Sequence, residues 1–315
     1  MSHPGPPITP GHEYSLWVPP DVVAVLGRGP VDPAIPTMFT DDLGLSRGDG
    51  CFEGCRVRRS GRDVQVDDLE QHLDRMGSSA RGLGIAFDQP AWRALVESAL
   101  DEWDRACADR EEASLKLVLT RGREGSGEPT GFASISRLPE STVSARREGI
   151  KAITLARGVH SDAFADRPWL LGGVKTLSYA VNMAALREAL RRGADDAIFV
   201  SSDGRVLEAT TAAVVWVNGR RISTVPAGAN GILPSITAER LLQEAVAAGF
   251  TAGRAQASVD ELSAADAVML VSSVRGPVLV RSIDGRDLTP TEAGMRALST
   301  SQRRLQFSPP ATGTG

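Results

Sequence analysis

The sequence predicts a two-domain protein in which each domain contains both helices and strands. At 315 residues the chain is long enough for two hydrophobic cores of ordinary size. Each half contains β-rich runs as well as stretches with helical periodicity, and the polar segment GVHSDAFADRPW lies between the halves. We therefore expect an α+β or α/β two-domain architecture with a boundary near residue 157.

This division predicts five parts along the chain. An N-terminal extension rich in proline and glycine covers residues 1–35, and a small α+β domain covers residues 36–157. Residues 158–174 form the interdomain linker, and residues 175–307 form the larger domain. The last segment, residues 308–315, is expected to be a disordered tail.

Local patterns in the first half predict a hairpin, two helices and three strands. The hairpin is CFEGCRVRR and DVQV around a Ser-Gly-Arg turn, and the first helix is DLEQHLDRMGSSARGL with Asp67 or Asp68 as its cap. The second helix covers residues 90–109. The runs SLKLVLTRG, GFASISRL and KAITLARG then predict strands that complete the first domain.

The second half begins with the stretch GGVKTLSYAVNMAALREAL, which predicts a helix that continues to about Arg192. Strands are predicted at DDAIFVSS, RVLEAT, AAVVWV and RRISTV. A Gly/Pro-containing loop then leads into a helix that starts near Ser235 or Ile236 and ends at Gly249. One more strand, DAVMLVSS, a loop and a terminal helix from about residue 289 finish the chain.

The composition argues against several classes of function. Apolar residues make up 42% of the chain, charged residues 23%, and the formal net charge is −4, so nothing indicates binding to nucleic acid or to an anionic membrane. No run of about 18 apolar residues and no signal-like N-terminus occurs, which favours a cytoplasmic location. Three cysteines and four scattered histidines predict neither a disulfide framework nor a metal site.

Lysine is rare in this chain, which contains three lysines and 32 arginines. Lys175 follows a Gly-Gly pair at the joint between the predicted domains, where small-molecule sites are common. One interpretation is a solvated surface residue, and the other is a lysine that forms a Schiff base with a cofactor.

Two later features fit the second interpretation. Pyridoxal phosphate needs a lysine, an acid beside its pyridine nitrogen and donors for its phosphate. Glu208, at the end of a short strand, is of the residue type that the ring nitrogen requires, although it could also be an ordinary strand-end carboxylate. Residues 233–237, LPSIT, open a helix with free amides that suit a phosphate, although the same residues could be an ordinary N-cap.

Two stretches of the chain, in this order, resemble the class IV aminotransferase family of pyridoxal phosphate enzymes. They are KTLSYAVNMAALREALRRGADDAIFVSSDGRVLEAT and GILPSITAERLL. The resemblance extends through RGDGCFEGCRV and the HLDRM helix and covers most of residues 40–288. It implies the D-amino-acid aminotransferase-like fold, with pyridoxal 5'-phosphate between the domains, a small amino substrate and a homodimer. A binding protein that keeps the fold without the cofactor is the alternative from another class.

The resemblance also implies roles for individual residues. It assigns Lys175 to cofactor attachment and proton transfer, and Glu208 to the pyridine nitrogen. Tyr179 is either a contact to the phenolic oxygen of the cofactor or a core aromatic residue. The residues that the family pattern matches to the cofactor phosphate are Arg75, Ser235, Ile236, Thr237 and Ser273. Relatives usually carry an asparagine where Ala213 stands, so the support of that strand must differ here.

Substrate signals in the sequence conflict. Arg121 and Arg123, two apart on a predicted strand, could bind substrate carboxylates or be an exposed pair. GDGCF resembles the aminodeoxychorismate lyases of the family, whereas Glu53-Gly54-x-Arg56 resembles the branched-chain aminotransferases. The longest match resembles the lyases, so the prediction is a 4-amino-4-deoxychorismate lyase that forms pyruvate and the folate precursor 4-aminobenzoate. The alternative is transamination of D-amino acids or branched-chain L-amino acids with 2-oxoglutarate.

Overall fold

The computed structural model describes residues 18–306, and its first half is built on a six-stranded sheet. All neighbouring strands in this sheet are antiparallel, in the order β2-β1-β6-β5-β3-β4. Its strands are β1 Val22–Val25, β2 Gly29–Val31, β3 Gly50–Ser60, β4 Asp63–Val66, β5 Glu112–Thr120 and β6 Thr130–Ser136. The predicted hairpin is thereby confirmed as β3 and β4.

Four helices belong to the first part of the chain: α1 Leu43–Arg47, α2 Leu69–Leu83, α3 Gln89–Ala106 and α4 Glu140–Glu148. Apolar side chains recur at helical spacing on α2 and α3, so each helix buries one stripe. Leu73 and Met76 of α2 and Trp92 and Trp103 of α3 are completely buried and form one core with the apolar side chains of the sheet. This packing fixes α2 against β3, which carries part of the site described below.

The second half is built on a nine-stranded mixed sheet. Its strands are β7 Ile150–Ala156, β8 Asp196–Val200, β9 Val206–Ala209, β10 Ala213–Asn218, β11 Arg221–Thr224, β12 Thr251–Arg254, β13 Ala267–Ser272, β14 Gly276–Ile283 and β15 Arg286–Asp287. The order is β12-β11-β10-β13-β14-β7-β8-β9, with β15 paired to β14. Three pairs are parallel, namely β11 with β12, β14 with β7, and β7 with β8.

The remaining helices are α5 Ala180–Arg191, α6 Ile236–Ala247, α7 Val259–Ser263 and α8 Glu292–Gln306, and a 3-10 turn covers Pro168–Leu170. The helix predicted to start near Ser235 is confirmed as α6, with Ser235 as its N-cap. Within residues 18–306, no helix combines the length and the apolar character that crossing a membrane requires.

The predicted boundaries of the small domain, residues 36–157, are wrong at both ends. Strands β1 and β2 fall within the predicted extension of residues 1–35, and β1 is buried because it pairs with β6 of the first sheet. Strand β7, predicted to complete the first domain, pairs with β8 and β14 of the second sheet. Strand propensity predicts a strand but not its partner, since the pairing depends on distant residues. The predicted tail, residues 308–315, lies outside the described residues.

Two further local predictions need correction. Strand β14 was missed, because its sequence GPVLVRSI was interpreted as a loop after DAVMLVSS. Asp68 precedes α2 as predicted, but its side chain makes no capping hydrogen bond. It accepts a hydrogen bond from Arg240 of α6 at 2.7 Å instead, and so joins the two halves.

Candidate active site

The segment that carries Lys175 is held against the start of β3. The Phe52 N–H donates to the carbonyl oxygen of Lys175 at 3.1 Å, and the Leu177 N–H donates to that of Gly50 at 2.8 Å. A Cβ atom at Gly50 would lie 2.5 Å from the carbonyl oxygen of Leu119 and 2.7 Å from the Leu177 side chain, so only glycine fits. On α2, the Ser79 hydroxyl accepts from the Lys175 N–H at 3.2 Å. The backbone around Lys175 is therefore fixed by the first sheet and by α2.

The Lys175 amine lies among aromatic rings. Its Nζ atom is 4.4 Å from the centroid of the Phe52 ring and 5.5 Å from that of Tyr179, and the two rings meet edge to face. Burial lowers the pKa of Lys175 to about 8, although the Glu53 and Glu208 carboxylates act in the opposite direction. About one tenth of this amine is consequently neutral at pH 7 and about one half at pH 8, and the neutral form is the one that reacts as a nucleophile or accepts a proton.

Glu208 lies on β9, which pairs with β8 at the edge of the second sheet. Burial raises the pKa of its carboxyl to about 7, while the Leu233 N–H, which donates to Oε2 at 3.2 Å, and the charge of Lys175 act in the opposite direction. A cationic N–H placed beside this carboxylate would supply the partner that it lacks, so Glu208 suits a protonated pyridine nitrogen.

A cavity of about 400 Å³ lies between the two sheets and brings most of the predicted site residues together. Those that line it are Arg75, Lys175, Tyr179, Glu208, Ser235 and Ser273. A wider neighbouring cavity of about 800 Å³ shares Arg75 and Ser235, but neither Lys175 nor Glu208 lines it. The smaller cavity, which holds both ionisable groups with shifted pKa values, is therefore the candidate active site.

The start of α6 forms one end of the cavity. The Ser235 hydroxyl accepts from the Ala238 N–H at 3.1 Å, which confirms the N-cap interpretation. The amides of Ile236 and Thr237 lie in the first turn, where helix geometry provides no partner. The Thr237 and Ser273 hydroxyls lie 2.9 Å apart, so the β13–β14 loop reaches the helix start as the family pattern predicts. Hydroxyls and free amides at a helix N-terminus are suitable donors for a phosphate.

Arg75 of α2 is held by a carboxylate that the sequence analysis did not place in the site. Its Nε and Nη2 atoms donate to the two oxygens of Glu53 at 2.8 and 2.7 Å, and its Nη1 donates to the Pro234 carbonyl oxygen at 2.8 Å. The Nδ1 atom of His72 lies 2.7 Å from the same carboxylate. A charged residue in the otherwise apolar strand run GCFEGC was the signal that could have revealed Glu53.

Arg121 and Arg123 do not line the cavity. They also lie beyond the end of β5, so the predicted placement of this pair on a strand is wrong. Strand β5 ends at Thr120, since Gly122 has φ +87° and a Cβ there would lie 1.8 Å from the Glu128 carbonyl oxygen. Arg121 binds Asp49, and Arg123 binds Asp41. Both guanidinium groups therefore have intramolecular carboxylate partners.

Ala213 lines the cavity at the start of β10. The segment between Glu208 and Ala213 is supported from α5 instead, because the Asn182 side chain donates to the Thr210 carbonyl oxygen at 2.7 Å. The Thr210 hydroxyl in turn donates to the buried Asp196 at 2.6 Å. The expected difference in support is thus explained by an asparagine on a neighbouring helix.

The donor set fits pyridoxal phosphate. Lys175 offers a partly neutral amine, Glu208 an unpaired carboxylate for the ring nitrogen, and the start of α6 with Ser273 offers donors for the phosphate. Among the described residues, no group of three or more His, Cys, Asp or Glu side chains is arranged to hold a metal ion.

Comparison with known proteins supports this assignment. Residues 50–283 match the family model described as amino-transferase class IV. A bifunctional aminodeoxychorismate lyase / D-amino acid transaminase from Mycobacterium tuberculosis is 40% identical over 277 residues, which cover 86% of this chain and 94% of that protein.

Solved structures give the same result. A hypothetical aminotransferase from M. tuberculosis in a PLP-bound form is 37% identical with a TM-score of 0.84, over 89% of this chain and 97% of that one. A form of that protein with α-ketoglutarate and PMP bound is 38% identical in sequence to this chain and has the same TM-score. A fold IV transaminase from Curtobacterium pusillum is 34% identical with a TM-score of 0.83, over 91% and 99% of the two chains. This chain belongs to the class IV aminotransferase family, and its cofactor is pyridoxal 5'-phosphate.

Proposed function

We propose that this protein is a pyridoxal phosphate-dependent lyase that converts 4-amino-4-deoxychorismate to 4-aminobenzoate and pyruvate. The observation that carries the proposal is the 40% identity, over nearly the whole chain, to a protein named as a lyase and transaminase. Lys175 and Glu208, which line one cavity, support it, since the reaction begins with proton removal from the carbon that bears the amino group.

The cofactor is held at three places in this proposal. Lys175 would hold it covalently, Glu208 would pair with its ring nitrogen, and the start of α6 with Arg75 and Ser273 would hold its phosphate. When bound, pyridoxal phosphate supplies an electron-withdrawing ring that delocalises the electron pair released when the substrate carbon loses its proton. Glu208 strengthens that effect because its carboxylate keeps the ring nitrogen protonated.

Lys175 performs the proton transfers. Its amine is poorly solvated and partly neutral near physiological pH, so it accepts the proton from the amine-bearing carbon of the substrate. The carbon–oxygen bond to the enolpyruvyl group then breaks, and the Lys175 ammonium returns its proton to the departing group, which leaves as pyruvate. Loss of this group makes the ring aromatic, and no second amino-group acceptor is needed.

The walls of the cavity orient the substrate and limit access of water. Phe52 and Tyr179 cover the Lys175 amine, and Met183 and Leu186 of α5 add apolar lining. A dry site strengthens the interaction between Lys175 and Glu208 because fewer water dipoles screen it. We also expect Tyr179 to contact the phenolic oxygen of the cofactor.

Transamination of D-amino acids is the second candidate, because the M. tuberculosis relative is named for both activities and a structural neighbour binds α-ketoglutarate together with PMP. The two reactions share Lys175 and Glu208 and differ in the fate of the proton. In transamination no leaving group departs, so Lys175 would not deliver its proton to one. The homodimer and the cytoplasmic location stay predictions.

The purified, cofactor-loaded protein should release 4-aminobenzoate from 4-amino-4-deoxychorismate, with one pyruvate for each 4-aminobenzoate. D-Alanine or L-leucine with 2-oxoglutarate, assayed beside it, measures transamination. Fast keto-acid formation without any 4-aminobenzoate would refute the lyase proposal and establish the second candidate. A protein that stays colourless with pyridoxal phosphate would refute both.

A further inference from the structure

The loop between β13 and β14 carries an arginine that the family pattern did not single out. Arg275 lines the cavity of Lys175 and Glu208, and its side chain is 17% exposed. Its Nη2 atom donates to Asp196 at 2.9 Å. The contacts found within residues 18–306 give its Nε and Nη1 groups no partner.

Asp196 uses its remaining hydrogen-bonding capacity elsewhere. Its Oδ1 atom accepts from the Thr210 hydroxyl at 2.6 Å and from the Ala197 N–H at 2.9 Å. Asp196 therefore fixes one edge of the Arg275 guanidinium while the planar group retains other donors. The remaining N–H groups of this mostly buried guanidinium are available to the cavity, where a carboxylate is an acceptor of matching geometry.

The backbone of this loop is held from α4. Arg146 donates from Nη2 to the Val274 carbonyl oxygen at 2.6 Å and from Nε to that of Arg275 at 2.9 Å. The same guanidinium binds Glu112 of β5 at 2.8 and 3.0 Å. The position of Arg275 is thus set by contacts from both halves of the molecule, which favours binding because little ordering remains to be done.

The cationic side chains that line the cavity are Arg75, Lys175 and Arg275. Arg75 is bound to Glu53 and points with Nη1 toward the helix start, and Lys175 is the reacting amine. Arg275 remains for the substrate, since Arg121 and Arg123 do not line this cavity.

We propose that Arg275 is a specificity-determining residue that binds a carboxylate group of the substrate. The inference rests on the proposed function only in that both candidate reactions use carboxylate substrates. In an amino acid, either the carboxylate on the reacting carbon or a distal carboxylate supplies this chemistry. In 4-amino-4-deoxychorismate, whose amine-bearing carbon has no carboxylate, the ring carboxylate or the enolpyruvyl carboxylate supplies it. Binding proceeds through Nε and Nη1, while the Asp196 contact stays in place.

The test uses the cofactor-loaded protein with Arg275→Gln and Arg275→Lys. Arg62→Gln is the matched control, since Arg62 lies exposed in the β3–β4 turn, outside the cavity. The half-reactions with D-alanine and with D-glutamate are followed through the visible spectrum of the cofactor. For the lyase reaction, KM and kcat are determined. Calorimetric binding of glutarate is measured as well, because it requires no turnover.

We expect Arg275→Gln to weaken glutarate binding and raise KM by about 10- to 100-fold, with a much smaller change in kcat. Arg275→Lys retains the charge beside Asp196 but loses the planar fork, so an intermediate loss is expected. Equal weakening for D-alanine and D-glutamate identifies the carboxylate on the reacting carbon, and weakening for D-glutamate alone identifies the distal one. In both cases the cofactor spectrum and the melting temperature of Arg275→Lys should match those of the parent.

Glutarate affinity and KM that equal those of Arg62→Gln would overturn the proposal and leave Arg275 as a structural partner of Asp196. A parent protein that binds no glutarate would also overturn it. Loss of both enzymatic activities with retained, Arg275-dependent glutarate binding would refute the proposed function but not this inference.

Discussion

Glu53 and Glu208 are two glutamates on different sheets, the first completely buried and the second half-buried, and their surroundings give them opposite properties. Burial alone would raise the pKa of both carboxyls. At Glu53 the hydrogen bonds from Arg75 and His72 overcome burial and lower its pKa to about 2. At Glu208 burial dominates, opposed by one backbone N–H from Leu233 and by the charge of Lys175, and the pKa rises to about 7.

The difference separates an anchor from a reactive group. Glu53 has two strong partners and fixes the guanidinium that faces the start of α6, so its contribution is mainly to structure. Glu208 keeps free acceptor capacity, and a ligand with a positive N–H satisfies it most strongly. Perturbed carboxyls without a partner are therefore better indicators of a site than carboxyls in complete ion pairs.

The largest expected effect comes from the amine that shares the cavity with Glu208. Lys175→Ala should lower turnover by about 10⁴-fold, because both covalent attachment and proton transfer are lost. The visible band of the lysine-bound cofactor should disappear while the circular dichroism spectrum stays unchanged. Lys116→Ala, which removes an exposed lysine of β5, is the matched control and should retain the band. A normal band in Lys175→Ala would show that another group holds the cofactor.

Glu208→Gln tests the reactive member of the pair. The amide keeps nearly the same shape but cannot hold a protonated ring nitrogen, so kcat should fall by about 10²- to 10³-fold. The free energy of unfolding should change little, since few contacts of the carboxylate are lost. Wild-type kcat in this variant would contradict the role given to Glu208.

Glu53→Gln should mainly lower stability, whereas Glu208→Gln mainly lowers kcat. It leaves Arg75 and His72 without their shared anion, so urea denaturation should show a free energy of unfolding lower by about 3–5 kcal/mol. The dissociation constant of pyridoxal phosphate should rise because the position of Arg75 is no longer fixed. If Glu208→Gln were the more destabilising of the two, the distinction between anchor and reactive group would fail.

The pH dependence of cofactor attachment sharpens the comparison. Only the neutral Lys175 amine attacks the aldehyde, so the attachment rate of the cofactor-free protein should rise about tenfold per pH unit below a pKa of about 8 and level off above it. Glu208 raises the pKa of Lys175, so Glu208→Gln should shift this rise to lower pH. Stopped-flow absorbance measures the rate, and a shift to higher pH would contradict the assigned interaction.

The smallest effect is expected at Arg123. Its ion pair with Asp41 is exposed and screened by solvent, and Arg123 lies outside the cavity. Arg123→Gln should therefore leave KM and kcat within about twofold of the parent values. A large rise in KM for carboxylate substrates would restore the role in substrate binding that the sequence predicted.

Sequence patterns were reliable where a function depends on local chain geometry. The start of α6 was predicted to within one residue, because Ser235 caps the helix through a contact three residues away. The ordered lysine, glutamate and LPSIT motifs predicted residues that the structure brings into one cavity. Ser273, the loosest of these alignments, proved to lie 2.9 Å from Thr237.

The failures involved partners that are distant in the sequence. Strand β7 was assigned to the wrong sheet, since its parallel partners lie about 40 and 130 residues further along the chain. Arg121 and Arg123 were expected to share one side of a strand that in fact ends at Thr120. Arg275 carried no signal, because one arginine among 32 does not stand out.

The sequence by itself determined the family and the cofactor and predicted the residues expected to hold it, because these depend on residue types in a fixed order. Only the tertiary structure decided the charge states of Glu53 and Glu208. Residue type gives both the same intrinsic pKa, and the shift depends on burial and on which donors the fold brings within hydrogen-bonding distance. The same reason explains why one arginine is an exposed partner of Asp41 while another lines the cavity beside the reacting amine.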